Sequence, residues 1–302
     1  MKNWSLLIGS ILFSMIIFLG LAAPHLPFVD SKLTQHLLSQ DDNGRPIVPA
    51  FAPSEDFPLG SNYQGVDLLS LLLMGTNETL IIIFSIAILR YALAIPLGIG
   101  AYYFQLIRAI LSGWNQLFSY LPPIFFVGMM VGIPFIMFSK FHALWMIFLI
   151  AIIEVGRVAD IFLKNMESTS EKPFVESGIV AGCTRMTMFR KYLWPHLQPH
   201  IFTNFFNDLG RILFLIAQLG VFSIFISHEF ITNLDRGYDT VNSSIAWPTH
   251  LASIIRNIWG QSWIPISGIT IITITLFSLH LIANGLERYF QRKTNKSEGV
   301  GI

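Results

Sequence analysis

Six stretches of this chain are long and apolar enough to cross a lipid bilayer, and no other feature narrows its fold so far. They run over residues 4–23, 79–103, 114–138, 142–162, 201–226 and 263–286. At about 1.5 Å of rise per helical residue, about 20 residues cross the roughly 30 Å of bilayer hydrocarbon. Lipid offers no hydrogen bonds, so a spanning segment has to satisfy its backbone internally and each stretch is expected to be an α-helix. Pro96, Pro122, Pro123 and Pro134 interrupt the pattern. Neighbouring helices can take up the carbonyls they free, so the spans are expected to continue through them. The composition agrees: 53% of the 302 residues are hydrophobic and 12% charged, whereas soluble domains carry about 25% charged residues.

The first stretch has two readings. Lys2 before it and Leu21-Ala22-Ala23 at its end resemble a secretory signal. Its length exceeds the roughly 7 to 15 residues of a signal's apolar core, which favours a retained span. Residues 1–77 then form a first span with an outer loop, 78–291 a core of five spans, and 292–302 a short polar tail expected to be disordered. The outer loop contains Asp41-Asp42-Asn43-Gly44 and Pro53-Ser54-Glu55-Asp56, and a second polar stretch covers 228–262. With the N-terminus inside, twelve of the 19 Lys and Arg residues fall in inner segments and five in outer ones, leaving Arg90 and Arg211 at membrane depth. The excess of basic residues on one side predicts that both termini are cytoplasmic.

Function classes fall away quickly. A net charge of +1 with dispersed basic residues gives no footprint for nucleic acid. The lone Cys183 cannot build a disulfide framework and reads as a reduced, inert thiol. No Gly-x-x-x-x-Gly-Lys-Ser/Thr loop occurs, so this chain cradles no nucleotide phosphate. A membrane-embedded enzyme would call for a nucleophile with a base; neither Gly-x-Ser-x-Gly nor His-Glu-x-x-His is found. A stand-alone secondary transporter, the other alternative, would more often carry an internal repeat.

The informative stretch is the inner segment of about 164–200. Pro173 can start a helix, with Glu171 and Glu176 near its positive end. Gly182 can end it, and the following run 184–193 places Met186, Phe189 and Leu193 on one stripe, away from Arg185, Arg190 and Lys191. This predicts a short helix, a tight glycine turn and a second helix at the membrane surface. The binding-protein-dependent ABC permeases carry here a motif of Glu-Ala-Ala, three residues, Gly, nine residues, then Ile-x-Leu-Pro. This chain resembles them in Glu176-Ser177-Gly178, three residues, Gly182, nine residues, and Tyr192-Leu193-Trp194-Pro195. Ser-Gly stands for Ala-Ala, and Tyr and Trp for Ile and Leu. A second element, Pro58-Leu59-Gly60-Ser61-Asn62-Tyr63-Gln64-Gly65-Val66-Asp67, resembles the Pro-Leu-Gly-Thr-Asp-x-x-Gly-Arg-Asp of the oligopeptide, dipeptide and nickel branch, C-type subunit. Asn62 and Val66 depart from it. Leu121-Pro122 and Trp247-Pro248 are similar to that branch as well.

The resemblance implies an all-α, type I importer permease fold of about six transmembrane helices in a bacterial cell membrane. It implies a second, homologous permease subunit, two cytoplasmic ATPases holding ATP and Mg, and an extracytoplasmic solute-binding protein. The helix bearing Phe174, Val175, Glu176, Ser177, Gly178, Ala181 and Gly182, with Pro195 beyond it, would seat in the ATPase. No cofactor would bind this chain, and the solute would be a peptide or related molecule.

Charges at membrane depth are expensive and therefore functional candidates. Asp208 and Arg211 stand three apart, as do Glu154 and Arg157, a spacing that predicts local ion pairs. Arg90 has no partner nearby in sequence, so it is expected to meet the second permease subunit or face the translocation path. His196 and His200 have a metal-ligand spacing, but Pro199 intervenes and no third ligand is near, so surface roles fit better. His280 reads as a hydrogen-bonded interior residue.

Overall fold

The computed structural model describes residues 3–40, 46–233, 237–252, 254 and 259–298. The fold is all-α apart from two short antiparallel hairpins. Among the described residues, three helices are by themselves long and apolar enough to cross a membrane: Trp4–His25, Leu68–Tyr103 and Trp263–Arg292. They correspond to α1 (Trp4–Ala22, with a short 3-10 turn after it), α2 (Leu68–Tyr103) and the last helix, α11 (Trp263–Glu298). The second span thus begins eleven residues before the apolar run at 79, because Asp67 caps it: its carboxylate accepts from Ser70 N at 2.8 Å. A capping carboxylate satisfies one of the orphan amides of a helix start.

The expected spans at 114–138 and 142–162 are not continuous helices. The first is divided among α3 (Gln105–Ser119), α4 (Pro123–Val131) and α5 (Pro134–Met137). Both breaks fall where a proline starts the next helix, since its ring blocks the preceding turn and it donates no amide. Pro96 alone behaves as anticipated, lying inside α2. The second stretch breaks at Glu154 into α6 (His142–Ile153) and α7 (Val155–Ser170). Two short helices follow, α8 (Pro173–Val180) and α9 (Arg185–Met188), and then α10 (Trp194–Val221), which takes in most of the expected span at 201–226.

Close contacts fix the order of passes. α1 runs antiparallel to α11 through glycines: a Cβ on Gly9 would lie 2.8 Å from Ile282 N, and one on Gly285 2.5 Å from Leu6 N. Small residues let membrane helices approach this closely when water is not available to drive association. Asn3 donates to the Gly285 carbonyl and Arg288 to Ser5 Oγ, so the described ends of the chain share one side. At the other side, a 3-10 turn at Trp247–Leu251 folds back between α10, α11 and the start of α2. Trp247 is fully buried, donates its ring amide to Leu72 O at 2.9 Å and its backbone amide to Thr79 Oγ1 at 3.0 Å. Glu78 accepts from Ser244 Oγ and Ile245 N just before it. These bonds satisfy irregular backbone that lipid could not.

The polar stretches differ from plain loops. Ser39–Gln40 pairs with Pro46–Ile47, and His228–Asn233 with Gly237–Asn242. Asp41 to Gly44 lie outside the described residues. The tail expected to be disordered is helical as far as Glu298, because each residue added to a packed helix like α11 gains a hydrogen bond without a new nucleus.

The glycine seam generates a prediction. Gly285→Leu forces α1 and α11 apart, costing on the order of 1–3 kcal/mol or more by overpacking. A thermal melt of the detergent-purified protein should drop by several degrees, while Gly113→Leu, whose Cβ meets nothing within 4 Å, should leave it unchanged.

Candidate functional site

Two sites emerge: a buried ion cluster where the helices meet, and a projecting turn at the end that carries the termini. The first is built around Arg90, which sits on α2 and is fully buried. Its Nη1 donates to Glu154 Oε2 and to Asp208, each at 2.9 Å. Its Nη2 donates to Ile150 O at 2.8 Å and its Nε to Ala151 O at 3.3 Å. Those carbonyls lie in the last turn of α6, where a helix leaves acceptors without internal partners. The break at Glu154 and the guanidinium therefore complete each other. Arg157 on α7 adds a second cation, bonding Asp208 and, at 3.3 Å, Glu154. One cluster ties α2, the α6–α7 junction and α10.

This corrects two readings from the sequence. Arg90 neither waits for a second subunit nor faces an open path; it finds both carboxylates within its own chain. Asp208 pairs with Arg90 and Arg157 rather than with Arg211, three residues on, which is exposed. The reason is geometric: Asp208 is 2% exposed and turned into the bundle, while Arg211 projects outward from the same helix. The Glu154–Arg157 pair forms as its spacing suggests.

The second site is the α8–α9 turn. Pro173 opens α8 at its first position, Gly182 N donates to Ile179 O, and Cys183 N to Gly178 O. Gly182 has φ +72°, a left-handed conformation that L-residues adopt only at a cost. Thr184 then caps α9 by accepting from Thr187 N. Val175 and Gly178 are buried; a Cβ on Gly178 would lie 3.0 Å from Met188 and 3.1 Å from Tyr192. Phe174 stacks on His196 with ring centroids 4.6 Å apart. Glu176, Ser177, Ala181 and Gly182 face out, together with Ile179 at 64%, Val180 at 85% and Met186 at 72% exposure. Pro195 is exposed near the start of α10.

The anticipated stripe of Met186, Phe189 and Leu193 is not the buried one. Met188 and Leu193 are buried while Met186 is exposed. A π-helical turn at Phe189–Leu193 shifts the period from 3.6, and the second helix merges into α10 instead of lying apart on the surface.

The element before α2 is a folded clip. Gly60 and Gly65 have φ +81° and +73°, and a Cβ on Gly65 would lie 2.0 Å from His36 O. Asn62 Oδ1 accepts from Gln64 N and Val66 N, both at 2.9 Å, bonds an aspartate would make equally well. Val66 is 4% exposed and packs with Leu68, Leu71 and Ile264. Trp263 at the start of α11 donates to Ser61 O. Pro58 and Asp67 line a cavity of about 550 Å³ with Phe28, Asp30 and His36, while Leu59 stays partly exposed. His196 Nδ1 meets Tyr192 O, and no cluster able to hold a metal occurs among the described residues. Sequence reasoning missed the Thr79–Trp247 and Glu78–Ile245 contacts, which join positions 167 or more residues apart.

Residues 91–296 match a family described as binding-protein-dependent transport system inner membrane component. No curated protein matches the chain. The match takes in Glu154, Asp208 and the whole of α8 and α10.

Removing one member of the ion cluster should be worse than removing two. Arg90→Met leaves Glu154 and Asp208 with only Arg157 between them, a loss on the order of 3–5 kcal/mol for a broken buried pair. The double variant Arg90→Met/Asp208→Leu should recover most of the melting temperature, and a double-mutant cycle would read the coupling directly.

Proposed function

The chain belongs to the binding-protein-dependent transport system inner membrane component family, and from that premise we propose that it is one of two permease subunits in an ATP-driven importer of peptides or related solutes. Its partners are a second permease, two cytoplasmic ATPases that hold ATP and Mg, and an extracytoplasmic binding protein. Within the family, the clip of Pro58, Leu59, Gly60, Gly65 and Asp67 supports the oligopeptide, dipeptide and nickel branch. Among the described residues no cluster able to hold a metal argues for nickel as the solute.

The observation that carries the coupling role is the tip of α8. Ile179 and Val180 on α8 stand exposed with Glu176, and Met186 on α9 stands exposed across the left-handed turn at Gly182. Apolar side chains grouped in this way mark a surface that a partner covers. Met166, Val175, Met188, Leu193 and Leu197 form a small core of their own beneath the tip. That core makes the tip a rigid lever on α7 and α10, the helices that carry Glu154, Arg157 and Asp208. A movement imposed on α8 by ATPase closure would therefore reach the bundle without being absorbed by a loop.

The end bearing α8 also bears both described chain ends, and the excess of basic residues supports placing it in the cytoplasm. Topology reporters fused after Glu55 and after Glu298 should read outside and inside respectively; an outside signal from the second refutes this orientation.

Gly182→Val should strain the turn by on the order of 1 kcal/mol or more, and Glu176→Lys should reverse the charge at the docking face. Both variants should insert normally, Glu176→Lys with an unchanged melt and Gly182→Val with one a few degrees lower, yet both should recover less ATPase on purification and lose uptake. Full ATPase recovery and uptake by both would refute the coupling role.

A further inference from the structure

α10 presents an unusual face for a membrane-crossing helix. Leu209, Ile212 and Leu213 on its inner side are fully buried. Asn204, Asn207, Arg211 and Gln218, spaced by three, four and seven residues, share the opposite side, where Arg211 is exposed and the three amides are half-buried. This polar line runs about 21 Å along the axis. Hydrocarbon cannot satisfy an arginine and three amides, so the face is turned to water or to protein.

A protein neighbour fits poorly. Where helices pack closely in this chain they do so on glycine, as Gly9 and Gly285 show. The small residues of α10 are already used internally: Ala217 and Thr203 are buried, Gly220 abuts Pro248, and a Cβ on Gly210 would lie 3.6 Å from Leu276 of α11. The outward face offers long side chains and Phe214, 55% exposed, with nothing small to admit a second backbone. Charge gives the sign of what it takes. Arg90, Arg157 and Arg211 stand against Glu154 and Asp208, three guanidiniums against two carboxylates. Arg211 is in no ion pair among the described residues. Arg157 is 30% exposed at the edge of the cluster.

We infer that this face of α10 lines a water-filled path and that Arg211, backed by Arg157, is a subsite for the carboxylate of the passing solute. The inference rests on the permease reading and adds a class of cargo to it: solutes with a free carboxylate, such as a peptide C-terminus. Asn207 and Gln218, a turn or two to either side, supply donors and acceptors for the neutral remainder.

The test uses the assembled transporter with Cys183→Ser and Asn207→Cys, giving one thiol on the face. Its labelling by a sulfonate-bearing and by a trimethylammonium-bearing methanethiosulfonate is measured, each normalised to its rate with free cysteine. The anionic reagent should win by about tenfold, the order by which a cationic cleft concentrates an anion, and Arg211→Gln should abolish the preference while Arg211→Lys keeps it. N-Acetylglycine should slow labelling and neutral N-acetylglycinamide should not. No labelling by either reagent means lipid or a partner covers the face, and overturns the proposal. Equal normalised rates, or equal protection by both glycine derivatives, overturn the carboxylate assignment. Loss of the second permease from the Arg211→Gln complex makes the occupant a partner's acid and overturns it too. Failure of the permease reading would show separately, as a wild-type chain that recovers no ATPase.

Discussion

A guanidinium at membrane depth is the constraint around which this fold is arranged. Arg90 could not remain in hydrocarbon unpaired, since insertion of a charge there costs several kcal/mol. Glu154, Asp208 and two carbonyls of α6 supply what water would. Their geometry requires α6 to end where it does, because an unbroken helix would turn those carbonyls to its own amides. It also requires α2 and α10 to lie against that break. Removing the cluster would remove the reason for the junction, so the fourth crossing is two helices by design of its electrostatics.

The same economy explains one of the other irregularities. The turn at Trp247–Leu251 re-enters between helices, where its non-helical backbone is buried in protein rather than met by lipid, whereas the proline breaks that divide α3, α4 and α5 are exposed. Two of the faces left exposed among the described residues are of opposite kinds. The tip of α8 is apolar and stands at the membrane's edge, where a soluble partner can reach it. The outer face of α10 is polar and stands where lipid would be intolerable. In the proposed importer the first face serves the motor and the second the cargo.

Much of this was legible in the sequence. Apolar length located three helices able to cross, those holding the stretches at 4–23, 79–103 and 263–286, Pro173 and Gly182 marked the limits of the α8 turn, and the spacing of Glu176, Gly182 and Pro195 carried the family. Local spacing misled where a distant partner was stronger: Asp208 chose Arg90, 118 residues away, over Arg211. Opposite charges in three separate apolar stretches, at 90, 154 and 208, were a usable signal that they would meet. The α9 stripe was misread because a π-turn changes the helical period and nothing in the residues 189–193 announces one. The clip at 58–67 was visible as a motif, while its role in joining α2 and α11 depended on His36 and Trp263, which the motif does not contain.

The central claim is that this chain is half of a membrane core whose open faces belong to an ATPase and to a path. A structure of the complex purified through this chain and held in lipid nanodiscs tests it most directly. The account predicts the α8 tip buried in an ATPase, Arg211 and Asn207 facing a water-filled space between two permeases, and Arg90 still bonded to Glu154 and Asp208. A chain found without a second permease or ATPase, with α8 in solvent and the α10 face against acyl chains, would contradict it.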